Sequence, residues 1–147
     1  MQNKPRINLS KVEPKGYGIL FKFEEFLGKT PISTRISNLI KVRASQINKC
    51  NFCIHLHTEE ALAAGESAKR LFALSAWQES PFFSEEERAV LALTEEVTLI
   101  ADHGVSDEVY NKNLELFGEQ YLAQLIIAIN TINSWNRIGV ATKLQPE

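Results

Sequence analysis

The stretch KCNFCIHLH, residues 49–57, contains both cysteines of the chain and two of its three histidines. On a helix, Cys50 and Cys53 are three residues apart and Cys53 and His57 four apart, so both pairs lie on neighbouring turns of one face. Cys50 would lie near the helix N-terminus, where unpaired N–H groups favour an anion. A helix N-terminus or a nearby imidazole lowers the pKa of a thiol, and the thiolate is the nucleophile. Because a second thiol can trap a sulfenic acid as a disulfide, the spacing favours dithiol redox chemistry.

Three other interpretations of this stretch stay open at this point. A structural zinc site needs four ligands, so Cys50, Cys53 and His57 would have to recruit His55 or the distant His103. His55 is two residues from both Cys53 and His57, and on a helix it faces elsewhere. Two cysteines can also pack in a core as small apolar side chains, and a cysteine protease would pair one cysteine with a remote histidine. An all-helical setting with a histidine four residues after Cys53 favours the redox interpretation.

The rest of the sequence predicts the helices that position this stretch. Apolar residues recur at helical spacing between capping residues and glycines, and no segment alternates like a strand. Predicted helix starts are Thr30–Pro31, Cys50, Ser84 with Glu87 as a capping box, and Ser106; predicted ends are Gly28, Gly65, Gly104 and Gly118. We therefore expect an all-α fold of six or seven helices in a single domain, a size that 147 residues suit.

Composition limits the classes of partner and the compartment. The net charge is −2, with 16 Lys and Arg against 18 Asp and Glu, and no run of like charge occurs. Nucleic acid and an anionic membrane are therefore not expected as partners. No apolar segment is long enough for a secretory signal or a membrane span. We expect a cytoplasmic protein, in a compartment whose reducing poise disfavours permanent disulfides. The apolar last helix, which includes Trp135, is expected either to contact another subunit or to form the central core.

Three segments resemble the carboxymuconolactone decarboxylase family, on its alkylhydroperoxidase AhpD-like side. They are VRASQINKCNFCIHLHTEEALAAGE (42–66), RLFALSAWQESPFFSEEERAVLALTEEVTLI (70–100) and NTINSWNRIGV (130–140). The resemblance covers roughly residues 15–141, with an N-terminal extension at 1–14 and a tail at 142–147. Its most specific part is the C-x-x-C-x-x-x-H signature, Cys50 to His57, between RASQIN and HTEEA.

The resemblance implies an AhpD-like helical bundle, assembled as a dimer, trimer or hexamer. It implies reduction of organic hydroperoxides, in which Cys53 attacks the peroxide, Cys50 resolves the product and His57 belongs to a proton relay. A dithiol electron donor of unknown identity would restore the enzyme, and neither a cofactor nor a metal is expected. Members of the decarboxylase branch typically lack the cysteine pair, so lactone decarboxylation is the less favoured activity.

One position departs from the family's peroxidase pattern, which has a glutamate twelve residues before the first cysteine. That position is Asn38 here, and an asparagine can hydrogen-bond but cannot carry a proton or a charge. We therefore expect His57 to be less basic and the relay to be weakened, unless Glu60, Glu95 or Glu96 takes the glutamate's place. The alternative function is a non-catalytic or redox-sensing oligomer that keeps the fold.

Overall fold

The computed structural model describes residues 4–146, and within that range every regular element is helical. The helices are α1 (Leu9–Val12), α2 (Pro14–Leu27), α3 (Thr34–Ile47), α4 (Asn51–Ala63), α5 (Ala68–Ala73), α6 (Glu85–Thr98), α7 (Ile100–His103) and α8 (Asp107–Thr142), with a 3-10 turn at Leu74–Ala76. The all-α prediction is confirmed. Residues 4–146 contain eight helices rather than six or seven, and α1 and α7, each four residues long, are too short to show helical periodicity.

Helix α3 begins later than the sequence predicted. Its N-cap is Ser33, whose hydroxyl accepts a hydrogen bond from the backbone N–H of Ile36 at 3.2 Å. Thr30 instead donates its hydroxyl to the carbonyl of Leu27 at 2.7 Å, so it closes α2 rather than opening α3. The prediction of Thr30 and Pro31 as cap and first residue was therefore wrong.

Helix α6 opens with the predicted capping box, in which Ser84 and Glu87 bond to each other's backbone N–H groups. The segment that was expected to run unbroken to Gly104 is interrupted at Leu99, where the backbone leaves the helical region and α7 begins. The predicted N-cap at Ser84 and the predicted end at Gly104 are thus confirmed, but the region between them forms two helices rather than one.

Helix α8 packs against both α3 and α6 and forms the centre of the molecule. It bends at the predicted boundary, Gly118, where φ is 77° and a side chain would be strained. After the bend its apolar residues are buried within this chain: Leu122, Leu125, Ile129 and Ile132. The last helix was expected either to contact another subunit or to form the central core, and in this chain it forms the core.

A second apolar cluster packs α3, α4, α5 and α6 together on the other side of α3. Helix α3 thus belongs to both clusters, and the turn that follows it leads directly into the cysteine helix α4. No helix in the 4–146 range combines the length and apolar character needed to cross a bilayer.

Candidate functional site

The two cysteines lie at the start of α4, as predicted, and are joined by a disulfide. Cys50 is the N-cap residue, and its Sγ accepts the backbone N–H of Cys53 at 3.4 Å. The S–S distance is 2.07 Å, and the two residues are only 2% and 4% exposed. Both sulfurs are thus placed together at the helix N-terminus, where the partial positive charge of the N–H groups favours a thiolate.

An asparagine network fixes the turn before Cys50 against α8. The side-chain amide of Asn48 donates to Oδ1 of Asn133 and of Asn136, both at 2.9 Å. Asn136 in turn donates to the hydroxyl of Ser45 at 2.9 Å and is fully buried. Buried amides that are satisfied in this way hold one geometry, so the network positions the cysteines. The sequence segment NTINSWN therefore has a structural role at the site.

Gly139 of α8 lies directly against the disulfide. A Cβ at this position would be 2.9 Å from Cys50 Sγ and 3.4 Å from Cys53 Sγ. The first distance is shorter than a normal contact, so only glycine lets α8 approach the sulfurs this closely.

Cys53 and His57 line one cavity of about 390 Å³, and most of its wall is apolar. One side is an edge-to-face aromatic cluster of Tyr17, Phe21 and Trp135, with ring centroids 5.1–5.6 Å apart. The remaining lining residues are Glu24, Lys41, Phe52, Leu56, Glu60, Ile138, Gly139 and Leu144. The reactive positions therefore face an apolar chamber that contains a few polar groups.

His57 is buried, and that burial lowers the pKa of its imidazole below 6.5 because the charged form loses solvation. The nearby Lys41 ammonium also lowers this pKa, while Glu60 and Glu24 oppose the shift. The lowered pKa agrees with the expectation that His57 is less basic when position 38 is an asparagine, but the largest cause is the burial of the ring. At neutral pH the ring is therefore uncharged and can accept a proton.

Glu60, one of the three glutamates considered from the sequence, contacts that ring. It lies three residues after His57 on α4, and its Oε2 is 2.7 Å from His57 Nδ1. Because an ionised carboxylate only accepts hydrogen bonds, Nδ1 carries the proton and Nε2 is left as the basic atom.

A second carboxylate in the cavity, Glu24, was missed by the sequence analysis. Its Oε1 accepts the indole N–H of Trp135 at 3.0 Å, and its Oε2 accepts from Lys41 Nζ at 3.2 Å. The available signal was the spacing of Tyr17, Phe21 and Glu24, which puts an acid on the inward face of α2. Trp135, for which we expected a role in packing or in a subunit contact, forms part of the cavity wall.

The other predicted relay residues are not in this cavity. Asn38 is buried in α3 and lines an adjacent cavity, which it shares with Glu24 and Lys41. Glu95 accepts hydrogen bonds from Arg43 Nε at 2.8 Å, Trp77 Nε1 at 2.7 Å and Gln78 at 3.1 Å. Its two oxygens are thus already engaged by other partners, and the expectation of a relay role for Glu95 is corrected.

Glu96 is likewise engaged elsewhere, because both its oxygens bind Ser106 at the start of α8. Of the remaining histidines, His55 is exposed and lies 3.5 Å from Glu59, while His103 ends α7. Among the residues described, no group of three or more His, Cys, Asp or Glu side chains could hold a metal ion.

The chain belongs to the carboxymuconolactone decarboxylase family, whose model matches residues 18–96. It is 40% identical to the uncharacterized protein YdfG of Bacillus subtilis over 136 residues, which is 92% of each chain.

Among solved structures, a protein of unknown function from Agrobacterium tumefaciens matches with a TM-score of 0.94 and 35% identity. The match covers 98% of this chain and 99% of that one, and that protein is described as a candidate antioxidant defence protein AhpD. An uncharacterized peroxidase-related protein from Silicibacter sp. matches with a TM-score of 0.79 at 17% identity, over 92% and 72% of the two chains. The fold is thus the AhpD-like helical bundle.

Proposed function

We propose that this protein is a thiol-dependent peroxidase that reduces organic hydroperoxides through Cys53 and Cys50. The observation that carries the proposal is the Cys50–Cys53 pair at the start of α4, with Cys53 and His57 lining one largely apolar cavity. The likeness to the Agrobacterium protein described as an AhpD candidate supports it.

The proposed cycle balances with the two thiols and one hydroperoxide. The Cys53 thiolate attacks the terminal oxygen of ROOH, the O–O bond breaks, and the alcohol ROH leaves after taking up one proton. Cys53 is then a sulfenic acid, and attack by the Cys50 thiol forms the disulfide and releases water. The peroxide gains two electrons, and two thiols lose them. An external thiol donor must then reduce the disulfide.

His57 is the proposed base for Cys53, one helical turn away. Its uncharged ring takes the thiol proton at Nε2, while Glu60 holds Nδ1–H and sets this tautomer. Lys41 adds positive charge to the same cavity, which favours the thiolate. Glu24 holds both Lys41 and Trp135 in place through its two oxygens, so it takes a positioning role in the cavity.

The cavity wall favours an apolar R group on the peroxide. Burial of apolar surface contributes roughly 25 cal/mol per Å², and the Tyr17–Phe21–Trp135 cluster offers such surface to a substrate. A hydroperoxide with an aromatic or alkyl group should therefore bind better than hydrogen peroxide.

Steady-state peroxide consumption tests the proposed activity. With dithiothreitol as donor, we expect the protein to turn over cumene hydroperoxide repeatedly, and with a higher kcat/KM than for hydrogen peroxide. A protein lacking both thiols, Cys50→Ser with Cys53→Ser, is the control for background reduction. Consumption that equals this control would contradict the proposed function, and a single turnover without recycling would favour the redox-sensing alternative.

We also propose that the protein is a homo-oligomer. One face of α2 closes the cavity, but its opposite face carries Ile19, Phe23 and Phe26, which are 44–55% exposed. The chain exposes 8808 Å², whereas a monomer of 16.6 kDa should expose about 7600 Å². An apolar stripe of this kind marks an interaction surface.

Light scattering coupled to size exclusion should accordingly give at least twice the monomer mass at micromolar concentration. Replacing Phe23 and Phe26 by glutamate should lower that mass, whereas the same change at the exposed Phe72 of α5 should not. A wild-type mass near 16.6 kDa would contradict the proposal.

A further inference from the structure

The disulfide also borders a second cavity, on the Cys50 side, that the proposed peroxide reaction does not use. This cavity has a volume of about 250 Å³, and its lining includes Cys50, Asn51, Lys49, Lys143 and Gln145. Cys53 lines the apolar cavity described above, and Gly139 and Leu144 line both. Each cysteine therefore borders a cavity that the other does not line.

Two lysines give the second cavity its charge. No carboxylate of residues 4–146 lies within ion-pair distance of Lys49 or Lys143. An anion that enters this cavity would thus meet two lysines with which no carboxylate of residues 4–146 forms an ion pair.

The backbone at both lysines is unusual. Lys49 and Lys143 have φ of 55° and 54°, and in the described range they are the non-glycine residues with positive φ. Each follows the end of a helix, α3 or α8, where glycine is the ordinary choice. Non-glycine residues in this conformation are uncommon and concentrate at functional sites. A lysine in place of glycine at both positions points to a use for the side chains.

We propose that the Cys50–Cys53 disulfide is reduced from this side by a small anionic thiol that Lys49 and Lys143 attract. This proposal rests on the proposed function and names the class of its electron donor. At about 250 Å³ the cavity is smaller than a pocket for a drug-sized ligand, a size that suits a thiol of a few heavy atoms.

The exchange balances with two thiol molecules. The first donor thiolate forms an S–S bond to Cys50 Sγ, the Cys50–Cys53 bond breaks, and Cys53 leaves as a thiolate. That thiolate lies in the cavity with Lys41, whose positive charge can stabilise it. A second donor thiolate attacks the donor sulfur, releases Cys50 and forms the donor's disulfide. Two electrons thus pass from the donor to the protein.

Three small thiols of different charge test the proposal on the oxidised protein without peroxide. They are 2-mercaptoethanesulfonate, 2-mercaptoethanol and cysteamine, and their rates are compared per thiolate present. We expect the sulfonate to react fastest and cysteamine slowest. At low ionic strength, the variant Lys49→Gln with Lys143→Gln should react roughly five- to tenfold more slowly with the sulfonate than the wild type does. In the wild type, 0.5 M salt should slow the same reaction by about the same factor. The thiolate of 2-mercaptoethanol carries one negative charge fewer than that of the sulfonate, so its rate should fall less in the lysine variant.

Lys15→Gln with Lys22→Gln removes the same charge from α2 and is the matched control. Equal loss in both variants, or equal rates for the three thiols, would overturn the proposal. The proposal would also be overturned if Lys49→Gln with Lys143→Gln unfolds at a lower temperature but still reacts faster with the sulfonate than with cysteamine. The two lysines would then only stabilise the helix ends. A trapped mixed disulfide mapped to Cys53 rather than Cys50 would also overturn it. This experiment contains no peroxide, so its result can be told apart from a failure of the peroxidase assay.

Discussion

Replacing Cys53 by serine is expected to reduce peroxide consumption on the order of a thousandfold, to the uncatalysed background. Serine carries a hydroxyl in place of the thiol, and a hydroxyl cannot be oxidised to a sulfenic acid. Cys50→Ser should behave differently, because the first chemical step needs only Cys53. That variant should react once with one equivalent of peroxide and then stop as a sulfenic acid.

The two variants can be separated by a sulfenic acid trap and intact mass. Dimedone should label Cys50→Ser after peroxide and should leave Cys53→Ser unlabelled. Both substitutions are nearly isosteric at buried positions of one helix start, so circular dichroism should show equal helix content. Labelling of Cys53→Ser instead would exchange the roles of the two sulfurs.

Replacing His57 by glutamine should slow the reaction of Cys53 with peroxide about a hundredfold at pH 7, the usual contribution of a positioned base. In the wild type the rate should fall as pH drops below the lowered pKa of His57, because the protonated ring no longer accepts the thiol proton. Above that pKa the ring is free to act. His57→Gln should therefore lose this acidic limb of the pH profile as well as the rate.

His55→Gln is the matched control on the same helix. His55 is exposed, lies 3.5 Å from Glu59 and does not line the Cys53 cavity. We expect it to keep the wild-type rate and the wild-type pH profile. An unchanged profile in His57→Gln would assign the proton transfer to another group in the cavity, with Glu24 and Glu60 as the next to replace.

The parts of the site that the sequence predicted are those specified locally. The i, i+3 and i+4 spacings placed Cys50, Cys53 and His57 at one helix start, and a three-residue spacing brought Glu60 to His57. The capping box of α6 was predicted because its two residues bond to each other's backbone. These features depend on neighbours within one helical turn, which is the range that a sequence pattern describes.

The parts that were missed depend on how helices pack. Glu24 reaches the site because α2 lies against α8, which brings Trp135 to it across 111 positions of sequence. Asn38 was assigned from its distance to Cys50 along the chain, yet α3 presents it to the adjacent cavity. Glu95 looked available until folding placed Arg43 and Trp77 around it. No periodicity within one segment specifies such contacts.

The decisive experiment is a titration of the fully reduced protein with cumene hydroperoxide, followed by thiol counting and product analysis. We expect one equivalent of peroxide to remove both thiols, to yield one equivalent of cumyl alcohol and to produce the Cys50–Cys53 disulfide in intact-mass and peptide maps. Two thiols still free after several equivalents of peroxide, or thiol loss without formation of the alcohol, would contradict the proposed function.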